Sequence, residues 1–576
     1  MNASGLLEYY DRVADTAGAI QLLRRFILEL AVRGKITSQE SSDGTADDLL
    51  ARIAREHKNL ALIKSRCARL PAADTVNDQE IPFTLPSTWR WTRLSAITSY
   101  IQRGKSPVYA DTDGTPVISQ RCVQWNGLDL SVAKYVTRDS LQKYEEARFL
   151  RAGDLLWNST GTGTIGRVVR LVDPQPSLIC DSHVTVVRST LVDPEFIRCW
   201  LRSDHVYAVI ENRAIGSTNQ IELTAQMVRD QIVPLPPLVE QIRIVAKVDE
   251  LMAICDDIED KRAQREIARD RFTSATLARL KAQDGESGMF AVDARFAILS
   301  LDVLTTRPDQ IKQLRETILN LGVRGKLVSQ DPNDESATEL LRRSASAGQL
   351  SKKSRRAQIA YNEEEPYPFL SPPNWTWTRL GSVGDWGSGS TPPRSNPELY
   401  GGGVTWLKSG ELNDDTALSG SSETLTEVAI RTGSFRLNQP GDVLVAMYGA
   451  TIGKAAILAD DAVTNQAVCG CTPMACLVNK YLFTFLVSQR SEFHAASEGG
   501  AQPNISRAKI VSMRFPLPPL AEQRRIVAKV DELMAICDEL ESLLNARDKH
   551  RRRLLDALIA EALESTAVAI PLLVKL

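Results

Sequence analysis

The chain has 576 residues, of which 43% are hydrophobic and 24% are charged, and this composition is typical of a globular protein with room for several domains. A formal net charge of −2 and a pI near 6.3 give no bulk basic surface, which in a nucleic-acid-binding domain usually appears as a pI above ~9, so any DNA contact must come from local surfaces or partners. The sequence has no apolar run of ~18 residues and no basic-then-apolar leader, so we expect no membrane span, no secretory signal and a cytoplasmic location.

The first predicted element is an amphipathic helix in "IQLLRRFILELAVRGK" at 20–35. Apolar residues recur with a 3,4,3 spacing that places them on one helix face: Ile20, Leu23, Ile27 and Leu30. Gly34 stands where a left-handed C-cap would end the helix. The stretch "IKQLRETILNLGVRGK" at 311–326 repeats the pattern, with Gly325 in the same place. The sequence therefore predicts two copies of one helix.

An aromatic strand is predicted next. The stretch "PFTLPSTWRWTRL" at 82–94 has a proline-rich entry followed by alternating tryptophans, which is typical of a strand. The stretch "PFLSPPNWTWTRL" at 368–380 repeats it. Because the tryptophans recur inside a shared frame, we predict that they pack in the core rather than stack on bases: Trp89, Trp91, Trp375 and Trp377.

A strand, a glycine turn and a second strand follow in "GDLLWNSTGTGTIGR" from Gly153 and in "GDVLVAMYGATIGK" from Gly441. The stretch GTGTIG at 161–166 matches the GxGxxG pattern of dinucleotide-binding loops. A phosphate-binding loop needs a following helix, whereas this stretch runs into "RVVRLV", a predicted strand. We therefore predict no nucleotide site here.

The longest repeated element is a helix that follows a PLPP stretch. The stretch "PLPPLVEQIRIVAKVDELMAICDDIE" at 234–259 recurs as "PLPPLAEQRRIVAKVDELMAICDELE" at 516–541, 282 positions later and with four differences. Apolar positions with 4,3,4,3 spacing predict a coiled-coil seam in each copy: Ile244, Val248, Leu251, Cys255 and Ile258, then Ile526, Val530, Leu533, Cys537 and Leu540. We predict that the two helices pair antiparallel. The alternative, in which each helix packs only on its own globule, stays open.

The chain is therefore a tandem repeat of helix, strand-rich globule, PLPP stop and long helix. The predicted fold class is α+β, with two mixed α/β globules separated by long helices that pair as an antiparallel coiled coil, in a pseudo-twofold internal repeat. The predicted segments are an N-terminal helical segment at 1–80, a first globule at 81–235, a central long helix at 236–285, a second helical segment at 286–366, a second globule at 367–517 and a C-terminal long helix at 518–576. The frames repeat but the loops between them diverge, which indicates two related but unequal recognition tasks.

These motifs together resemble the specificity subunit of type I restriction–modification enzymes. The resemblance rests on the duplicated "PLPPLxEQxRIVAKVDELM" segments, the helices ending in VRGK and the PxxW strand entries, and it covers essentially the whole chain. It implies that each globule is a target-recognition domain for one half of a bipartite, asymmetric double-stranded DNA target, and that the helices set the spacer length. It also implies docking of two modification (methyltransferase) subunits and of restriction (nuclease and translocase) subunits. No cofactor is expected on this chain, because S-adenosylmethionine, ATP and magnesium would belong to those partners.

Candidate DNA-binding residues are polar and basic side chains in glycine-containing loops, since such side chains reach phosphates and base edges. In the first globule the candidates are Arg103, Lys105, Ser106, Gln120, Arg121, Asn126, Asn158, Thr160, Thr162 and Asn219. In the second globule the candidates are Ser388, Ser390, Thr391, Arg394, Lys408, Ser409, Asn413, Tyr448, Lys454, Gln502 and Asn504.

The sequence shows no catalytic constellation and no metal site. The stretch "EHK" at 56–58 resembles a nuclease motif but lies on a predicted helix, and "SPPN" at 371–374 lacks the flanking residues of an adenine-methylating motif. The cysteines are predicted to fill cores as reduced thiols, including the cluster of Cys469, Cys471 and Cys476, which has no histidine nearby. Two alternatives stay open: a self-sufficient DNA-modifying enzyme, which the missing motifs count against, and a coiled-coil scaffold without DNA affinity, which the near-neutral charge favours.

Overall fold

The computed structural model describes residues 18–63, 76–110, 114–161, 163–173, 177–213, 222–282, 287–346, 367–497 and 504–564. These residues form two compact units. The first unit contains the described chain up to Gln264 and from Arg547 onward, and the second contains Arg265 to Ala546. Among the described helices, none combines the length and the apolar character needed to cross a membrane.

The first repeat contains a helical segment, a globule of small sheets, and a long helix. Its helices are α1 (Ala19–Val32), α2 (Ala46–Ile63), α3 (Arg138–Leu141), α4 (Pro194–Leu201), α5 (Asp204–Arg213), α6 (Ala225–Asp230) and α7 (Leu238–Lys281). Its strands are β1 (Arg90–Arg93), β2 (Thr98–Arg103), β3 (Tyr109–Ala110), β4 (Thr115–Ile118), β5 (Val123–Gln124), β6 (Gly127–Leu128), β7 (Lys134–Val136), β8 (Leu155–Asn158), β9 (Val168–Arg170), β10 (Ile179–Cys180), β11 (Val184–Ser189) and β12 (Ile232–Leu235). Its two four-stranded sheets have the strand orders β2-β11-β8-β9 and β10-β4-β7-β3, and the pairs β1-β12 and β5-β6 form two-stranded sheets.

The second repeat follows the same plan. Its helices are α8 (Ser287–Leu299), α9 (Leu301–Leu304), α10 (Pro308–Val323), α11 (Ala337–Ser346), α12 (Glu427–Thr432), α13 (Asn479–Ser488), α14 (Arg490–Ser497), α15 (Arg507–Ser512) and α16 (Leu520–Glu564). Its strands are β13 (Thr376–Arg379), β14 (Gly384–Ser388), β15 (Tyr400–Leu407), β16 (Asp415–Leu418), β17 (Thr424–Leu425), β18 (Val443–Ala446), β19 (Ala455–Leu458), β20 (Val463–Thr464), β21 (Val468–Pro473) and β22 (Arg514–Leu517). The sheets have the orders β14-β21-β18-β19-β16 and β17-β15-β20.

The repeated motifs build the same frame in each repeat. The tryptophan strand β1 pairs antiparallel with the PLPP strand β12, and β13 pairs with β22 in the same register. Gly34 and Gly325 end α1 and α10 with φ of 67° and 70°, the left-handed conformation that glycine adopts without steric cost. The predicted core role of the tryptophans is confirmed by Trp89 and Trp375, which are 1% and 6% exposed.

The seam of each long helix is a buried stripe, as predicted, and it faces the helix that opens its own repeat. Ile244 and its seam neighbours share a hydrophobic cluster with residues of α1 such as Ile27. Ile526 and its seam neighbours share a cluster with residues of α10 such as Ile318. Each seam therefore packs on the helix that opens its own repeat, as the alternative left open by the sequence expected. The first seam also meets the other long helix, because Ile559 of α16 packs against the cluster that contains Ile244.

The C-terminal part of each long helix belongs to the unit that contains the start of the other long helix. Leu555, near the C-terminal end of α16, is fully buried against Ala19 of α1 in the first unit. Leu277, near the C-terminal end of α7, is buried in a cluster with Leu321 of α10 in the second unit. Each unit therefore holds the start of one long helix and the end of the other, as antiparallel pairing of the helices requires. The predicted α+β fold class with its pseudo-twofold repeat is confirmed.

Candidate nucleic-acid interface

One edge of the first globule gathers the ends of several strands. β2 ends at Arg103, which pairs with Thr185 of β11. β8 ends at Asn158, which lies opposite Val184 of β11. The loop at 181–183 joins β10 to β11 at this edge. We call the residues that meet here the first strand-end surface: 104–106, 119–121, 160–161, 181–183 and 222, together with Arg103.

Hydrogen bonds and an ion pair connect the loops of this surface. Arg103 Nε donates to the backbone oxygen of Ser182 over 2.9 Å, and the Arg103 guanidinium forms an ion pair with Glu222. Ser106 Oγ lies 2.8 Å from Ser182 Oγ. The predicted candidates Arg103 and Ser106 are therefore brought together, although they lie on different loops from Ser182 and Glu222.

A second network holds the loop that follows β8. Thr160 Oγ1 lies 2.7 Å from Nδ1 of the exposed His183 and donates to Gln120 Oε1 over 3.3 Å. Asn158 Nδ2 donates to the backbone oxygen of Gln120 over 2.9 Å. Asn158 has 0% exposure, which corrects its prediction as a base contact, because it supports the loop from beneath. Thr160 and Gln120 remain at the surface.

The other candidates of the first globule are more scattered. Lys105 and Arg121 are exposed on this surface, and Lys105 Nζ lies 5.9 Å from the ring centroid of Tyr144. Asn126 is exposed at the turn between β5 and β6, beside a Trp125 that is 42% exposed. The candidates Thr162 and Asn219 lie outside the described residues.

The second globule has a corresponding second strand-end surface, formed by 389–391, 408–410, 448–449, 465–467 and 504, together with Ser388. Ser388 ends β14 opposite Cys469 of β21. The backbone N–H of Ser390 donates to the oxygen of Thr464 over 2.9 Å, and Thr391 Oγ1 donates to Gln466 Oε1. Three predicted candidates thus occupy one loop of this surface.

A carboxylate beside the second strand-end surface binds two basic side chains, Lys408 on the surface and Arg394 next to it. Arg394 and Lys408 contact Glu423 at 2.8 Å and 3.2 Å, and their hydrogen bonds lower the pKa of the Glu423 carboxyl group. The Arg394 guanidinium also lies 4.6 Å from the ring centroid of Tyr400. Both cations are therefore pre-positioned, and a DNA phosphate would have to share or replace Glu423.

Five further candidates lie on or beside these loops. Lys454 Nζ donates to Asn413 Oδ1 over 3.0 Å, and Ser409 begins a short 3₁₀ turn. Tyr448 is 42% exposed and forms an antiparallel bridge with Asn504. The candidate Gln502 lies outside the described residues.

The two strand-end surfaces share one backbone plan but carry different side chains. Thr160 forms an antiparallel bridge with Glu222, as Tyr448 does with Asn504. Strand register aligns further unlike pairs: Arg103 and Ser388, Lys105 and Ser390, Gln120 and Ser409, Ser182 and Gln466, and His183 and Ala467. The frame thus presents a different set of donors and acceptors in each globule.

A glycine makes the close approach of two loops possible in both surfaces. A Cβ atom on Gly104 would lie 2.1 Å from the backbone oxygen of Asp181. A Cβ atom on Gly389 would lie 1.9 Å from the backbone oxygen of Thr464. Only glycine fits at these two positions without a backbone shift, so they fix how the loops meet.

Sequence reasoning missed Ser182, His183, Glu222 and Gln466, which lie on the surfaces through strand pairing. Their signal in the sequence is only their place beside short strands, and strand register is needed to bring them to the same edge. Burial raises the pKa of the neighbouring Asp181 carboxyl group, although the His183 backbone N–H donates to it over 2.9 Å.

The stretches examined for catalysis have structural roles where they are described. The stretch 56–58 lies on α2, and His57 Nε2 lies 3.2 Å from Thr190 Oγ1. Residues 163–166 lead into strand β9, as predicted. Burial raises the pKa of Cys469 to about 12, which keeps its thiol protonated as a core group. Within the described ranges, no group of three or more His, Cys, Asp or Glu residues is arranged to hold a metal ion.

Comparison with known proteins relates this arrangement to one family. A family model described as the type I restriction modification DNA specificity domain matches residues 86–268 and 372–547. The EcoEI specificity subunit of Escherichia coli is 26% identical over 590 residues, with 94% of each chain covered. The EcoAI specificity subunit of Escherichia coli is 26% identical over 577 residues, again with 94% of each chain covered. A solved structure described as "Structural basis underlying complex assembly and conformational transition of the type I R-M system" is similar in fold, with a TM-score of 0.51, 20% identity, and coverage of 84% of this chain and 100% of that chain.

Proposed function

We infer that each globule reads one half of a bipartite DNA target. The chain belongs to the type I restriction–modification DNA specificity family and carries two copies of its domain. The chain is a specificity subunit, the non-catalytic part of its complex. The observation that carries the proposal is the pair of strand-end surfaces, in which one backbone plan holds unlike side chains. Unequal surfaces read unequal sequences, so the combined target is asymmetric.

Two recognition domains are needed because one domain discriminates only weakly between DNA sequences. A good bidentate contact between a side chain and a base contributes only ~1–3 kcal/mol of discrimination. When two readers are joined, the second contact becomes intramolecular, and the affinities combine as long as the half-sites are spaced to match the linkage. The long helices provide that linkage, so they set the length of the unread spacer.

We propose that the side chains of the strand-end surfaces divide into base readers and phosphate contacts. Arg103, Gln120 and Tyr448 present side chains that can donate to or accept from base edges, and Lys105 and Lys408 suit phosphate oxygens. The remaining exposed members of the surfaces complete each set. Non-specific attraction to phosphates is weak in a chain of net charge −2, so partner subunits supply much of the neutralisation.

The partners proposed for the chain are two modification subunits and the restriction subunits. The near-identity of the two long helices at 238–259 and 520–541 supports two equivalent docking sites for modification subunits. S-adenosylmethionine, ATP and magnesium would be bound by those subunits, which work with this chain on cytoplasmic DNA. The enzyme and scaffold alternatives lack a supporting observation among the described residues.

The proposal is tested in the complex with its modification subunits on DNA whose target has been identified from the methylated sites of the host genome. Insertion or deletion of one or two base pairs in the spacer should lower the affinity at least tenfold, whereas a changed spacer sequence of equal length should not. Equal binding at every spacer length would overturn the proposal. A base-pair scan across each half-site then assigns bases to the two globules.

A further inference from the structure

A strongly basic stretch lies on the C-terminal long helix, outside both strand-end surfaces. The sequence "RDKHRRR" at 547–553 contains five arginine or lysine side chains and one aspartate. Its formal charge is +4 with histidine neutral, in a chain whose total formal charge is −2. The rest of the chain is therefore net acidic, and this part of α16 is a local exception.

The basic side chains face solvent. Lys549, Arg552 and Arg553 are exposed, whereas Leu555 and Leu558 on the opposite side of the helix are 0% and 3% exposed. Among the residues that the structure describes, these three cations have no hydrogen-bonding or ion-pair partner. Like charges three and four residues apart destabilise a helix, so this arrangement does not contribute to the stability of α16.

The aligned stretch of α7 shows that the frame does not need these charges. Residues 265–271, "REIARDR", stand 282 positions earlier and carry a formal charge of +1. There Glu266 contacts Arg269 and Arg307 at 2.6 Å each, and Asp270 contacts Arg307 at 2.5 Å. Four of the five charged side chains of this α7 stretch, all except Arg271, are thus paired within the described protein. In α16, Lys549 and Arg552 replace Ile267 and Asp270 with unpartnered cations.

We propose that residues 547–553 bind the phosphates of the spacer DNA, the part of the target that neither globule reads. This inference rests on the proposed function. The stretch begins where α16 passes from the second unit to the first, and each unit carries one globule. A solvent-facing row of lysine and arginine on a helix suits the regularly spaced phosphates of a duplex, and such contacts are independent of base sequence. The spacer is then held without being read.

The test compares how the DNA affinity of the wild type and of a variant depends on salt concentration, in the complete complex with its modification subunits. The variant K549Q/R552Q/R553Q keeps good helix formers at all three positions. The slope of log affinity against log salt concentration should become shallower by roughly 2–3, since each lost phosphate contact contributes about 0.9. The ratio of affinities for the intact target and a target with a changed half-site should stay the same. The matched control R265Q/R269Q/R271Q removes the same charge from α7 and should leave the slope unchanged.

A second measurement identifies the ligand. Uncharged methylphosphonates placed only in the spacer should weaken binding by the wild-type complex more than binding by the triple variant, in which only the phosphate contacts of the partner subunits remain. An unchanged slope in the triple variant would overturn the inference, and so would loss of the modification subunits from that variant in the absence of DNA, since the ligand would then be an acidic protein surface. Failure of the proposed function has a different result, because both complexes would then bind intact and changed targets equally.

Discussion

The indole Nε1 of Trp89 donates a hydrogen bond to Oε2 of Glu240 over 2.9 Å. The second repeat contains the same bond, from Trp375 to Glu522, also over 2.9 Å. In each case a buried tryptophan immediately before the globule's first strand holds a carboxylate in the first turn of the long helix. The bond explains why glutamate follows the PLPP stretch in both copies, since it fixes the globule to the start of its helix.

Loss of this bond should destabilise the second unit. The variant W375F leaves Glu522 buried with one donor fewer, which costs about 1–3 kcal/mol of unfolding free energy. Urea denaturation followed by circular dichroism measures the change. The matched control is W377F, because the Trp377 Nε1 atom is buried without a hydrogen-bond partner and its removal should cost much less. Equal destabilisation by W375F and W377F would show that the bond is unimportant.

The same carboxylates should make stability depend on pH. Burial raises the pKa of Glu240 and Glu522 above the ordinary value of 4.5, and their hydrogen bonds oppose the rise only in part. A raised pKa means that the folded state binds protons more tightly, so the stabilisation is present below pH 4.5 and is lost as the pH rises through the raised value. In E240Q/E522Q the unfolding free energy should fall less steeply with increasing pH above 4.5. The variant E539Q, on an exposed face of α16, controls for the change in charge.

Equivalent seam positions should contribute equally to the two units. Ile244 and Ile526 both have 0% exposure and pack against α1 and α10 respectively. Each isoleucine-to-alanine substitution should therefore cost about 2–5 kcal/mol, as expected for a cavity in a packed core. The variant I267A removes an isoleucine that is 52% exposed and should cost far less. Thermal unfolding of the three variants checks this, and a small effect at only one seam position would contradict the shared frame.

Equivalent positions of the strand-end surfaces should control separate half-sites. The variant T160Y gives the first globule the side chain of the second, and Y448T makes the reverse change. We expect T160Y to lower affinity for the first half-site by about 1–3 kcal/mol, or roughly 5- to 150-fold, without changing base preferences in the second half-site. The variant Y448T should show the opposite pattern, so each variant is the control for the other. Competition binding with base-pair substitutions in each half-site measures both effects.

The sequence was sufficient to predict the repeated frame because its signals are local. Helix periodicity, the glycine C-caps at Gly34 and Gly325 and the PLPP stops each act within a few residues, and the structure contains the corresponding elements. The duplicated helix with its apolar stripe was equally clear. Its partner was not, because periodicity shows which face is buried but not what covers it, and α1 and α10 carry matching stripes of their own.

The candidate site was harder to predict because it depends on strand pairing. Asn158 looks like a loop reader in the sequence, but its position at the end of a central strand buries it completely. Glu222 and Gln466 were missed because each reaches the surface through a partner that is distant in sequence, Arg103 or Thr391. Register brings such residues together, and composition carries no information about register. Which exposed members contact bases remains a prediction for the half-site experiments.

The burial of Leu555 against Ala19 affects how the protein is made. Ribosomes add about 5–20 residues per second, so the first globule is synthesised long before residue 555. The outer face of α1 therefore stays uncovered until the segment around residue 555 has been made. During that interval its apolar side chains are open to unwanted association. Early binding of a chaperone or of a modification subunit to the nascent chain would protect them, and the yield of native protein should therefore depend on which subunits are synthesised alongside it.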